Sequence, residues 1–198
     1  VHDDHRRSWF IDVALSSMPT LQQIWRSTWG EYRLWPAGRW VPESLPTSDK
    51  VSGLLSVAMT RRLPQGQLRK TISMARQAPR ISCGYEVSDA SVSVIGLEWN
   101  ICLRDETRRE PTWQDGVTTL RIHDKGLGLG VSVTIEPAAS VVTFPIDTVS
   151  DSEEGLERTP QGLALVCLWS TAGRSRWQST VTWEIAEVAQ NEVRSGVM

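Results

Sequence analysis

No stripe of basic residues runs through this chain. Its 21 Lys and Arg are set against 23 Asp and Glu for a formal net charge of −2, and they are scattered among the acids. Nothing in that distribution neutralises a phosphate backbone, so nucleic acid is not expected as a partner. No apolar run approaches the roughly 20 residues a helix needs to span a bilayer. The start, Val1-His2-Asp3-Asp4-His5, lacks the apolar core of a signal peptide, and no membrane partner is expected. The CxxC spacing of zinc and redox sites is absent. Cys83, Cys102 and Cys167 each sit in an apolar, strand-like run and read as small buried hydrophobes of a reducing, cytoplasmic compartment. There is no G-x-S-x-G elbow, no P-loop and no H-E-x-x-H, so no catalytic residue, metal site or cofactor is assigned. The three histidines give no catalytic base either: His2 and His5 lie at the very start, and His123 reads as a surface residue beside Asp124 at a turn. Tyr and Phe are scarce, two of each, whereas there are ten Trp. Indole rings stack on sugar faces and also fill cores, and for any single Trp the core is the ordinary use.

At 198 residues with 40% hydrophobic side chains, the chain can bury one principal core. It begins with Val, and so reads as a fragment whose N-terminus lies upstream. Residues 1–30 read as helical: Trp9, Phe10, Val13 and Ala14 recur at three-to-four spacing up to Pro19. Thr20 and Gln23 then form a capping box ahead of the apolar stripe Leu21, Ile24 and Trp25. Residues 31–50, with Pro36, Gly38, Pro42 and Pro46, read as an extended linker.

From Val51 the pattern changes to period two broken by turn residues, which predicts an antiparallel β-sandwich over 51–190 and a tail over 191–198. Strands are expected at 53–61, 68–75, 80–87, 92–103, 117–123, 127–136, 140–147, 162–169 and 177–186. Asp124-Lys125-Gly126 suits a tight hairpin with a left-handed Gly126. Along 163–169 both faces are apolar, the mark of a central or covered strand. Leu97, Trp99, Ile101, Leu165 and Trp183 are the expected core.

Two places carry polar chemistry. On the strand 96–103, Leu97, Trp99, Ile101 and Leu103 take one face and Glu98 and Asn100 the other, roughly 6.6 Å apart. That separation lets a carboxylate and an amide bracket sugar hydroxyls. The competing reading is the solvated outer face of a sandwich. The second place is the run Phe144–Gly162, in which a strand is expected to end at Pro145, a polar loop to follow, and a strand to resume after Gly162. Loops of that kind on a rigid sandwich are common binding sites. Two plainer readings stay beside it, a single helical turn capped by Ser150 and Glu153 and a calcium loop, which lacks EF-hand spacing.

The run Phe144–Gly162 resembles the motif F-P-x-E-T-V-S-x-S-E-x-G-F-E-R-x-Y-Q-G of the C-terminal domain of glycoside hydrolase family 57 enzymes, the α-amylase/4-α-glucanotransferase type. Phe144, Pro145, Thr148, Val149, Ser150, Ser152, Glu153, Gly155, Glu157, Arg158, Gln161 and Gly162 match. Gly96-Leu97-Glu98-Trp99-Asn100 is similar to the family's G-V-E-x-N strand. Lys70-Thr71 and the segment Arg7–Asp12 resemble two further places. Asp147, Leu156 and Pro160 depart from the motif, which leaves positions 156 and 160 without its aromatic rings.

The resemblance implies a mainly β fold, an antiparallel sandwich of the galactose-mutarotase type. It also implies an auxiliary role, completing the glucan cleft of a retaining enzyme whose two carboxylates lie in an N-terminal catalytic barrel of the same polypeptide. The implied ligand is an α-glucan (maltooligosaccharide, starch or glycogen). The residues it implies for the cleft are Glu98, Asn100, Ser150, Ser152, Glu153, Glu157, Arg158 and Gln161. Glu153 is expected to organise the loop, and the face of Glu98 and Asn100 to look towards the barrel. The alternative is a free-standing carbohydrate-binding sandwich. A mutarotase-like enzyme ranks below both, since it needs positioned His and Glu for proton transfer.

Overall fold

Alternating apolar residues become antiparallel strands nearly throughout. In the computed structural model the described residues are 11–26, 40–49, 53–63, 66–88, 92–103, 110–152, 155–171 and 174–187. They form β1 (Ile11–Leu15), α1 (Leu21–Trp25), β2 (Val41–Pro42), β3 (Thr47–Ser48), β4 (Leu54–Arg62), β5 (Gln67–Ala75), β6 (Arg80–Ser88), β7 (Val94–Cys102), β8 (Thr112–Asp124), β9 (Leu129–Ser152), β10 (Gly155–Ser170) and β11 (Arg176–Glu187). The fold is mainly β with a short N-terminal helix, as expected.

The register resolves the strands into two layers. One runs β1-β7-β10-β9, with Ile11 opposite Glu98, Leu165 opposite Trp99 and Phe144 opposite Ala164. The other runs β9-β11-β6-β5-β4, with β2 and β3 on the outer edge of β4. β9 belongs to both. Its first part, Leu129–Glu136, pairs with β11, and from Ser140 onward it pairs with β10. β8 follows it around the same corner, pairing Asp124–Thr119 with Leu129–Thr134 and Val117–Thr112 with Ala139–Thr143. The bend falls at the cis Glu136–Pro137 bond, where both sheets meet and the sandwich is closed. The opposite end, where β7 stops at Cys102, is open.

Inside the sandwich Leu97, Trp99, Leu165, Cys167 and Trp169 of the first sheet meet Leu68, Cys83, Tyr85, Val181 and Trp183 of the second. The rings of Trp99 and Trp183 stack across the layers, 4.1 Å between centroids. All five expected core residues are there, Ile101 as a partly buried member. A second, smaller core covers the outer face of the first sheet. Val13, Leu15, Val94, Val142, Phe144, Val166 and Leu168 gather there under Ile24 of α1. A helix of five residues is too short to stand alone. α1 is held by the burial of Ile24, worth about 2 kcal/mol, and by its capping box, Thr20 N donating to Gln23 Oε1 at 2.8 Å and Gln23 N to Thr20 Oγ1 at 3.3 Å.

The structure corrects several expectations. Ile11–Leu15 is a strand, not a helix: hydrogen bonding to the edge of β7 outweighs a three-to-four spacing that covered barely one turn. Trp9 and Phe10 lie outside the described residues. Within the expected linker, Val41–Pro42 and Thr47–Ser48 are strands on β4. The segments 127–136 and 140–147 are one strand bent at the corner, and Cys102 is exposed at the open end. In the β8–β9 turn the left-handed residue is Gly128 (φ 67°), not Gly126; Asp124 Oδ1 accepts from Leu127 N at 3.1 Å and sets the turn.

The largest correction concerns Phe144–Gly162. β9 continues through Pro145 to Ser152 and β10 begins at Gly155, so the run is a hairpin, with no helical turn among its described residues. Proline is tolerated at 145 because β8 begins opposite Thr143, and beyond it no described strand flanks β9 on that side. β7 likewise ends opposite Gly162. Asp147–Ser152 and Gly155–Pro160 therefore pair only with each other among the described residues. Six paired positions make a two-stranded ribbon about 20 Å long that rises from the open end.

Gly162 roots that ribbon at a register shift. A Cβ there would lie 2.0 Å from the Ile101 carbonyl oxygen and 2.9 Å from its carbon, and both are backbone atoms of a central strand. Gly162→Ala is therefore expected to cost about 3 kcal/mol, at the upper end of ordinary overpacking. Urea denaturation checks it; an unchanged midpoint would place the two strands further apart than this.

Candidate functional site

The open end gathers the motif and most of the unusual chemistry. On the ribbon, Thr148, Glu157 and Thr159 are exposed and Asp147 is half-buried, and Gln161, at the register shift at its root, is exposed too. Ser150, Ser152 and Arg158 sit on the same strands with side chains outside the described ones, and Glu153 lies outside the described residues altogether. The structure thus puts Glu157 and Gln161 on one accessible arm and brings neither against Glu98 or Asn100.

Glu98 and Asn100 do share a face, as the alternation of β7 predicts, and Asn100 Nδ2 donates to Glu98 Oε1 at 3.0 Å. The face is not an open one. Glu98 is 0% and Asn100 9% exposed, and their cross-strand neighbours are Ile11, Val166 and Ala164. The competing reading, a solvated outer face, does not hold. Val94, Ala164, Val166 and Leu168 of the smaller core lie on the same face, and a buried carboxylate must be held by hydrogen bonds or charge.

A second polar group, which sequence reasoning did not assemble, lies between the sheets beside β1. Lys70 Nζ donates to both oxygens of Asp12, at 2.8 and 2.9 Å, and the two side chains are 4% and 5% exposed. The Tyr85 hydroxyl also donates to Asp12 Oδ1. The ammonium stands 5.3 Å from the Trp40 ring centroid and 5.6 Å from that of Tyr85, within reach of a cation–π contact. The sequence held one sign of it. Lys70 falls on the inward face of β5 with Leu68 and Ile72, and a charge on an apolar face needs a partner.

Burial, and then the Asp12 carboxylate, raise the Tyr85 hydroxyl well above the usual phenol range. Burial pushes the thiols of Cys83 and Cys167 up to about 12. Raised values favour the folded state wherever these groups are neutral. Below about pH 8.5, the ordinary thiol value, folded and unfolded chains both hold the protons and stability is at its full value. As pH rises further the unfolded chain releases them first, and stability falls until the folded values are reached. The melting temperature is accordingly expected to decline steadily above about pH 9, less so in Cys83→Ala/Cys167→Ala. A melting temperature constant to pH 10.5 would contradict the assignment.

Between the sheets at the open end lies a cavity of about 460 Å³. Trp99, Ile101, Val131 and Trp183 line it, and Met74, Leu127 and Ile185 stand exposed around it. A more polar hollow of about 520 Å³ lies at the closed end, lined by Arg69, Glu86, Pro137, Arg174, Arg176 and Trp177 among others. Among the described residues no cluster of three or more His, Cys, Asp or Glu could hold a metal, and no helix is long and apolar enough to cross a membrane.

Comparison with known proteins places this architecture. The family described as "Alpha-amylase/4-alpha-glucanotransferase, C-terminal" matches residues 1–182. Alpha-amylase 1 of Dictyoglomus thermophilum is 24% identical over 204 aligned residues, covering 91% of this chain and 28% of that protein. Among solved structures, the 4-alpha-glucanotransferase of Thermococcus litoralis superposes with a TM-score of 0.69 at 19% identity, over 92% of this chain and 28% of that one. An aldose 1-epimerase-like protein of Escherichia coli shares the fold at a TM-score of 0.50 and 14% identity, over 76% of this chain and 69% of that one. The chain therefore spans little more than a quarter of the length of the first two relatives.

Proposed function

The chain belongs to the alpha-amylase/4-alpha-glucanotransferase C-terminal family, and from that premise we propose that it is the auxiliary sandwich of a cytoplasmic enzyme acting on α-1,4-glucans. The observation that carries the reading is the position of the motif. The stretch with the densest family resemblance is centred on the ribbon, which leaves the sandwich with Glu157 exposed along it and Gln161 exposed at its root. Such a ribbon reaches a second body and a ligand held between them.

In this reading Glu157, Gln161 and the neighbouring Ser150, Ser152, Glu153 and Arg158 meet the glucan or the wall of its cleft. Glu98 and Asn100 act from within, fixing the part of β7 from which the ribbon's root is held. A retaining mechanism needs two carboxyl groups about 5–5.5 Å apart across the scissile bond, and these belong to the catalytic part of the polypeptide. The three thiols are all unpaired, which agrees with a reducing compartment.

The test uses the chain alone and a fusion in which it replaces the matching 28% of the Thermococcus litoralis enzyme. With maltoheptaose, the chain alone is expected to give no turnover and the fusion to be active. Glu157→Ala/Gln161→Ala in the fusion should raise KM for long glucans several-fold with the melting temperature unchanged. Turnover by the homogeneous chain alone would sink the auxiliary reading.

A further inference from the structure

Resting on the auxiliary-domain reading, we infer that the open end of the sandwich is the surface that docks on the catalytic part of the polypeptide, an apolar side chain of which fills the cavity floored by Trp99 and Trp183. Three independent features converge on that end.

The first is the ribbon. A two-stranded hairpin is marginally stable in water unless a third strand or a packed face supports it, and among the described residues neither β7 nor β8 flanks this one. A strand pair whose edges no described strand covers is also a template for unwanted pairing, so a chain that keeps one needs a surface to lay it on.

The second is the apolar mouth beside it. Met74, Leu127 and Ile185 are 52%, 47% and 43% exposed and stand together around a mainly apolar cavity, in whose lining Arg80 and Asp124 are the charged residues. Large apolar residues scattered singly over a surface need no explanation, but a contiguous set around a hollow marks a contact site. Ile101 and Leu103 of the first sheet complete the wall on the ribbon's side.

The third is a donor without an acceptor. Trp183 lines the cavity, is 5% exposed, and its indole nitrogen has no hydrogen-bond partner among the described residues. Buried indole N–H groups ordinarily find one; this nitrogen is sealed from the cavity as the indole now stands, so a carbonyl of the docked segment meets it only with a turn of the ring. The closed end is built differently: its hollow is lined by Arg69, Glu86, Arg174 and Arg176, charges that a stable intramolecular interface tends to leave at its rim.

The occupant follows from the lengths. This chain covers 28% of the two full-length relatives, and what an apolar end of such a domain meets is the remaining part of the same polypeptide. A second copy of the chain is the competing occupant.

The experiment is amide hydrogen exchange on the free chain and on the fusion with the Thermococcus litoralis catalytic part. Two sets of surface substitutions accompany it, Met74→Ser/Leu127→Ser/Ile185→Ser at the open end and Arg174→Ser/Arg176→Ser at the closed end. Exchange at 74–81, at 125–129 and along the ribbon is expected to slow at least tenfold in the fusion. The open-end triple should abolish that protection while leaving the free chain's melting temperature unaltered, and the closed-end pair should leave it intact. Protection at the closed end or over α1 instead, no protection anywhere, or concentration-dependent protection of the free chain alone would each overturn the docking surface. An active fusion with an unprotected open end would do so while leaving the auxiliary reading standing. A protected but inactive fusion would uphold the docking and count against the glucan reading.

Discussion

Replacing Lys70 by Met lowers stability by about 3–5 kcal/mol, the cost of leaving one member of a buried ion pair without the other. At roughly 2–4 °C per kcal/mol for a chain of this size, the melting temperature falls by roughly 6–20 °C. The reason is the state of Asp12. Its carboxylate is 5% exposed and accepts from both the ammonium and the Tyr85 hydroxyl; with the ammonium gone, the Tyr85 hydroxyl is the direct donor left among the described residues, and the charge of Arg61 acts on the carboxylate without a hydrogen bond between them. Replacing both members, Asp12→Leu/Lys70→Met, is expected to restore most of the loss, because an apolar pair of similar volume needs no solvation. The double-mutant cycle separates this from simple packing. If Lys70→Met moved the melting temperature by less than about 2 °C, the pair would not be what fastens β1 to the second sheet.

Trp99→Ala carries a comparable effect by a different route. The side chain is 1% exposed and stacks on Trp183 across the layers. Truncation removes the transfer free energy of the ring and opens a void beside an existing cavity, for about 3–5 kcal/mol in all, of which about 1 kcal/mol is the ring-to-ring contact. Trp99→Phe keeps an aromatic surface against Trp183 and should recover at least half. Thermal unfolding followed by Trp fluorescence reads both. A full-sized loss in Trp99→Phe would mean that the indole nitrogen, not the ring, matters at this position.

Much of the sandwich was legible because period-two alternation records burial directly. Leu129, Val131, Val133 and Ile135 face one way and are buried or half-buried, and the doubly apolar segment 163–169 is the covered strand β10 between β7 and β9. The capping box of α1 was equally plain, since it depends on two residues three apart.

What was illegible depended on partners distant in sequence. β1 looked helical because nothing local shows that β7, more than 80 residues on, offers it an edge. Pro145 looked like a strand end and Pro160 like part of a loop, although proline is harmless where no described strand flanks the hairpin. Glu98 and Asn100 were correctly placed on one face, but alternation within a strand says nothing about what covers that face. Here the two residues are buried on the face that also carries the smaller core. The Asp12–Lys70–Tyr85 group joins positions 58 and 73 residues apart, and only the meeting of the two sheets brings them together.

The corner at Pro137 gives the two sheets a shared covalent spine. β8 and β9 each run unbroken from one layer into the other, so two continuous strands join the layers at that end, whereas among the described residues it is side-chain contact that joins them at the other. They cannot slide past one another, nor melt one after the other, without tearing the ladders of both strands. Thermal breathing is directed to the far end, where the layers part like the fore-edge of a bound book around the Trp99–Trp183 stack.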